Sequence, residues 1–289
     1  TAFYAALKNL ADIILIDVVE GLSQGKALDI QQSISLTSST TTIIGTNNYQ
    51  DTTDSDIVVI TAGIARKPGM SREELYNINA NILTSVIKNI LAHSKNPILI
   101  IVTNPLDAMV KLAYDLSHLP KQRILGMAGT LDTASFKHFI AQEVNYPPQQ
   151  IDTIVLGTHG DAMVPIISHT TVNEKPLTQL LDKEKIDLIV KRTQHGGAQI
   201  VNYLKTGSAF FAPGVAIVEL LNAIIHDTKK ILPCSVLLQG EYNLHNIFMG
   251  VPVQLGKEGV EKIIELNLSA EEKIQLQQAA EHIKNICPK

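Results

Sequence analysis

Four short runs rich in β-branched residues, Ile13–Ile16, Thr41–Gly45, Ile57–Thr61 and Ile98–Val102, recur through the first hundred residues. None alternates apolar with polar positions, so each reads as a strand buried on both faces, the habit of parallel sheets covered by helices. Between them, residues 25–33 and 73–93 space apolar side chains at helical intervals, first in Ala27, Ile30 and Ile34 and then in Leu75, Ile78, Ile82 and Val86. Strand and helix in alternation predict an α/β fold built on a doubly wound parallel sheet. From about residue 129 the pattern changes to a helix over Leu131–Val144, hairpin-like segments around Ile166–Val172, and long helical stretches that end with Ala270–Ile286. The 289 residues reach the size at which single cores divide. The expected division is a first domain over 1–128 and a second, α+β domain over 129–289. Residues 2–10 read as helix with no capping residue ahead of them, and Lys8 and Asp12 make the segment too charged for a signal peptide. The expectation is that further sequence precedes Thr1.

Composition narrows the partners. A net charge of -4 with 18% charged residues offers no basic field for nucleic acid or an acidic membrane surface. The longest apolar runs are strand-sized, far below the ~18 residues of a membrane span, so no transmembrane segment is expected. Cys234 and Cys287 are the only cysteines; they form no CxxC or Cys/His cluster, which argues against a disulfide framework and suits a reducing cytoplasm. The histidines show no HExxH or similar ligand spacing, and no metal is expected. Small molecules, or copies of the same chain, remain as partners.

Chemistry gathers at the ends of the predicted strands. Asp17 closes the first run, where an acid can hydrogen-bond the ribose diol of a dinucleotide; Val18 and Val19 offer no cation for a 2′-phosphate, which favours NAD over NADP. An acid after a strand is also an ordinary turn residue. The glycine-rich fingerprint should precede Asp17 by about 20 residues, which puts it ahead of Thr1. Thr61-Ala62-Gly63 opens a loop carrying Arg66, Lys67 and Arg72, cations placed where such sheets bind ligands, though a solvated basic turn would look the same. Thr103-Asn104-Pro105-Leu106-Asp107 ends the next strand. In the second half, Gly157-Thr158-His159-Gly160-Asp161 follows an apolar run and displays an imidazole between glycines, as a proton-transfer residue is displayed.

In order and spacing, Asp17, the Thr61 to Arg72 loop, Asn79, Val102-Thr103-Asn104-Pro105, Leu131-Asp132 and Gly157 to Asp161 resemble the lactate/malate dehydrogenases along the whole chain. Arg66 to Arg72 and Gly250-Val251-Pro252-Val253 resemble most the malate-acting branch of lactate-dehydrogenase-like type. The resemblance implies a Rossmann-type NAD domain whose first strand lies outside the chain, followed by a substrate domain. It implies His159 as proton acceptor and donor, Asp132 as its orienting carboxylate, and Arg72 as the group polarising the reacting carbonyl. Arg66 would meet the second carboxylate of a dicarboxylate, malate or oxaloacetate, and Asn104 would hydrogen-bond it. Asp17, Asn79, Val102, Thr103 and Asn104 would contact NAD, and Ser208-Ala209 would line the pocket. Homo-oligomers, tetramers or dimers, are usual in the family.

One position departs from the pattern. Ser135 stands where the family carries an arginine that grips the substrate carboxylate, three residues after the orienting acid. A hydroxyl cannot offset a buried carboxylate, and the expected loss is ~2–5 kcal/mol by analogy with truncated buried pairs. The sequence therefore leaves a second reading, a catalytically impaired or silent relative that binds nucleotide or self-associates.

Overall fold

The computed structural model describes residues 1–65 and 69–286; the side chains of Arg72 and Ile286 fall outside that description. In the first half, helix α1 (Ala2–Leu7) leads to strand β1 (Ile13–Ile16), α2 (Leu22–Ile34), β2 (Ile43–Thr46), β3 (Ile57–Ile60), α3 (Arg72–His93), β4 (Ile98–Ile101), α4 (Leu106–Ser117) and β5 (Ile124–Gly126). All four anticipated runs are strands, and they pair in parallel, β1 with β2 and β3 with β4, which in turn pairs with β5. Helix α3 begins where its sequence asks it to. The Ser71 hydroxyl accepts the Glu74 amide at 3.0 Å and the Glu74 carboxylate accepts the Ser71 amide at 2.7 Å, a reciprocal capping box.

The second half runs α5 (Gly129–Val144), β6 (Ile151–Asp152), β7 (Val155–Gly157), β8 (Met163–Pro165), β9 (Thr171–Val172), β10 (Lys175–Pro176), α6 (Lys183–Leu204), α7 (Phe211–Ile225), β11 (Ile231–Gln239), β12 (His245–Gly256), β13 (Gly259–Ile263) and α8 (Ala270–Ile286). Residues 166–172, expected as hairpin-like, hold a turn of 3-10 helix at Ile167–His169 before β9.

The long β11–β12 hairpin escaped the sequence reading because Pro233 and Pro252 interrupt both runs, and proline normally demotes a strand. The register puts the two prolines opposite one another. The Leu255 amide donates to the Lys230 carbonyl, so by antiparallel alternation the proline pair sits where no N–H is required between the strands. The hairpin matters because β11 pairs with β5 and β12 with β7. One sheet, β3-β4-β5-β11-β12-β7-β8, therefore runs through both halves of the chain. Its largest core cluster joins Ile100 and Leu125 of the parallel part to Cys234, Met249 and Val251 of the hairpin and to Ile217 and Ile224 of α7.

The β1–β2 pair is not hydrogen-bonded to that sheet. Ile13–Ile16 and Ile57–Val59 instead line a common cavity of about 2090 Å³. All four residues of β1 are only half-buried, although their composition is that of an interior strand. Among the described residues no helix is long and apolar enough to cross a membrane.

Candidate active site

The same cavity continues past the carboxyl ends of β3 and β4, where Gly63 and Asn104 line it, to Asp132, Ser135 and His159 of the second half. Its position, outside the carboxyl ends of parallel strands, is where open α/β sheets take their ligands.

His159 rides on the turn between β7 and β8. Gly157 (φ +85°) and Gly160 (φ +109°) bracket it with backbone that a side chain would strain. Behind the turn, β12 approaches so closely that a Cβ on Gly250 would stand 2.6 Å from the Gly157 carbonyl oxygen. Asp132 comes from the first turn of α5, where the helix dipole favours a negative charge, and is 4% exposed. The two meet: His159 Nδ1 lies 2.9 Å and 3.1 Å from the Asp132 carboxylate oxygens. Because an ionised carboxylate only accepts, Nδ1 carries the proton and donates, which leaves Nε2 of the neutral ring as the acceptor. The charge on Asp132 raises the imidazole pKa to about 9; burial opposes that, and the hydrogen bond and the charge of Asp107 add to it. At neutral pH the ligand-free ring is an imidazolium.

Asn104, at the end of β4, is exposed in the cavity and precedes a cis bond to Pro105. Asn79 of α3 is fully buried below it. Its Oδ1 accepts the Ile64 amide at 2.8 Å, and its Nδ2 donates to the Asn104 carbonyl at 2.7 Å and the Ile64 carbonyl at 3.2 Å. Asn79 thus ties the loops after β3 and β4 together, rather than facing the cavity. Thr103 and Val102, unlike Asn79, both line the cavity; the Thr103 hydroxyl donates to the Ala62 carbonyl at 2.7 Å, and Val102 is half-buried. Asp17 stands at the carboxyl end of β1, with Oδ1 accepting the Val19 amide at 2.8 Å; Val18 is 89% exposed. An acid there with an apolar neighbour is the residue pattern that suits the ribose diol of NAD, although Asp17 itself is not among the residues that line the cavity. Ser208 and Ala209 line the cavity. Arg66 lies outside the described residues, as does the side chain of Arg72. Among the described residues no cluster of three metal-ligating groups occurs.

Ser135 reaches the cavity from α5, one turn beyond Asp132, but its hydroxyl donates to the Leu131 carbonyl at 3.1 Å. In that rotamer only oxygen lone pairs remain for a ligand, and an anion would be repelled by them. The sequence reading missed a second acid. Asp107, in the first turn of α4, is 5% exposed and accepts the Ser235 hydroxyl of β11 at 2.6 Å. Nothing local marks it for burial, because an acid two residues after a proline reads as a helix-start residue in contact with solvent.

Two family models divide the chain between them: the lactate/malate dehydrogenase NAD binding domain matches residues 1–126, and the lactate/malate dehydrogenase alpha/beta C-terminal domain matches 129–289. The chain belongs to the lactate/malate dehydrogenase family. Relatives of this family include the malate dehydrogenases of Pelodictyon phaeoclathratiforme, 52% identical, and Chlorobium luteolum, 51% identical, each alignment covering 99% of this chain and 93% of the relative. Among solved structures, malate dehydrogenase from Cryptosporidium parvum superposes with a TM-score of 0.96 at 40% identity, over 99% of this chain and 92% of that one. Lactate dehydrogenase from the same organism, complexed with lactic acid and nicotinamide adenine dinucleotide, gives 0.95 at 41%, over the same shares. Family members acting on different acids thus share this backbone, and choice of substrate falls to side chains.

Proposed function

We propose that this chain is an NAD-dependent oxidoreductase interconverting malate and oxaloacetate. The observation that carries the reading is the His159–Asp132 pair, brought together from two elements at a cavity on the carboxyl ends of parallel strands. The relatives at about half identity support malate over lactate, as does Arg66, a cation suited to a second carboxylate.

When bound, NAD supplies the hydride acceptor and donor. Asp17 and the loops after β3 and β4, braced by Asn79, would hold it. The neutral ring of His159 takes the malate hydroxyl proton at Nε2 while Nδ1–H stays on Asp132, which remains ionised and stabilises the imidazolium. In the reverse direction Nε2–H returns the proton to the oxaloacetate oxygen. Arg72 would stabilise the charge that develops on that oxygen, and Asn104 would add a hydrogen bond. Ser135 favours a second reading, that this chemistry runs weakly here, because its hydroxyl already serves the Leu131 carbonyl.

The test is NADH oxidation with oxaloacetate and with pyruvate, in the protein and in Ser135→Arg. Oxaloacetate is expected to be the better substrate in both forms, and the arginine to raise kcat/KM by about two to four decades, the equivalent of ~2–5 kcal/mol of binding. A preference for pyruvate would overturn the substrate assignment. NAD binding without turnover in either form would establish the silent relative.

The malate reaction belongs to the tricarboxylic acid cycle, and the sparse, well-separated cysteines suit the cytoplasm; cell fractionation checks the compartment. Self-association is part of the proposal, supported by an apolar surface that includes Tyr203, Phe210 and Phe211, each more than 60% exposed.

A further inference from the structure

We propose that Thr133 is a positioning residue, whose hydroxyl locks helix α5 onto strand β7 and thereby sets how Asp132 meets His159. The inference rests on the role assigned to that pair above. It begins from a strand amide whose partner is a helix side chain. β7 pairs with β8 in antiparallel register, and the Ile166 amide donates to the Ile154 carbonyl. By antiparallel alternation the N–H and carbonyl of Val155 then point away from β8, while β12 meets β7 at Gly157, two residues further on. At Val155 helix α5 takes the place of a neighbouring strand. The Thr133 hydroxyl oxygen accepts the Val155 amide at 2.9 Å, and a Cβ on Gly129 would stand 3.0 Å from the Val155 carbonyl oxygen.

That contact lies between the two members of the proton-transfer pair. Thr133 follows Asp132 on α5, and Val155 begins the strand that leads into the His159 turn. Successive residues leave a helix about 100° apart around its axis. The Asp132 carboxylate, 2.9 Å and 3.1 Å from His159 Nδ1, and the Thr133 hydroxyl therefore hold α5 from two directions, fixing its height along β7 and its rotation. Nearer the start of α5, the Thr130 hydroxyl donates to the Pro233 carbonyl at 3.0 Å, and a Cβ on Gly129 would come within 2.7 Å of the Pro233 ring. Those contacts seat the helix on β11, whereas Thr133 ties it to the strand that carries the imidazole. Without the Thr133 oxygen the Val155 N–H would be buried and unpaired. A water admitted to serve it would push α5 away from β7, and Asp132 with it.

The test is an NMR titration of the His159 ring in the NAD-free protein, which reads the pair whether or not malate is the substrate. The charges that bear on the ring are Asp132 from α5, with the largest effect, and Asp107 from α4; Asp161 shares the turn. Thr133→Val keeps the shape of the side chain and removes the acceptor. If the carboxylate retreats by ~1 Å, the ring should bind its proton about tenfold more weakly, the change in Coulomb attraction at an effective dielectric constant of about 20. Thr133→Ser keeps the hydroxyl and should titrate as the wild type does. A folded Thr133→Val protein that melts at lower temperature yet titrates like the wild type would make Thr133 a merely structural residue and overturn the proposal. A Val155 amide that exchanges rapidly with solvent in the wild type would overturn it too, even if Thr133→Val does not fold. Absence of turnover with the ring titration as expected would count against the malate reading alone.

Discussion

His159 starts protonated in the ligand-free protein, so the reduction of oxaloacetate has its proton in place while the oxidation of malate must first lose one. Malate oxidation should therefore climb with pH until the ring, at about 9, is neutral, and oxaloacetate reduction should fall over the same range; opposite limbs in the two pH profiles would bear this out. The same shift has a consequence for stability. A group whose folded pKa lies above its ordinary 6.5 stabilises the fold fully below 6.5 and ceases to do so as pH rises through about 9. The Tm of the wild type should fall towards that of Asp132→Asn across this window, and two melting curves that stay a constant distance apart would contradict it. Ser135 and His159 both stood out in the sequence, one by its departure from a pattern and one by its glycines. Asp107 did not stand out, since its partner Ser235 lies on β11, well over a hundred residues further along.

At the scale of elements, the placement of His159 depends on how tightly the β7–β8 hairpin lies on β12. Gly250 permits the approach, and Gly250→Ala would set a methyl 2.6 Å from the Gly157 carbonyl oxygen, a backbone atom with little room to move. The variant should lose about 1–3 kcal/mol of stability by overpacking, and it should lose turnover even where it is folded, because the displaced turn carries the proton-transfer residue. Denaturation and steady-state rates measured together would check this, and wild-type values in both would mean the hairpin has slack. The parallel strands were legible because burial on both faces writes an uninterrupted run of Ile, Leu and Val. The β11–β12 hairpin was not, because whether Pro233 and Pro252 break a ladder depends on the register of two strands, which neither strand's sequence contains.

Over the whole molecule, one sheet passes through both halves and the cleft lies where α5 and the β7–β8 turn of the second half face the strand ends of the first. The exposed aromatic side chains of Tyr203, Phe210 and Phe211 lie at the end of α6 and the start of α7, beside that cleft, since Phe210 also lines it. If this surface is where copies meet, the protein should sediment as a dimer or larger, and Phe211→Glu should shift it to the monomer mass. A wild type that sediments as a monomer at micromolar concentration would remove self-association from the reading.

By itself the sequence determined the parallel strands and the glycine-flanked display of His159, because local hydrophobic period and glycine placement are properties of neighbouring residues, while Asp132 as the partner of His159 was implied by the family resemblance. Only the tertiary structure decided that Asn79 braces two loops from within, that Ser135 turns its hydroxyl onto its own helix, and that Asp107 is buried against Ser235 of β11. Those roles are set by what packs against each side chain, and burial and hydrogen-bond partners come from elements far away along the chain.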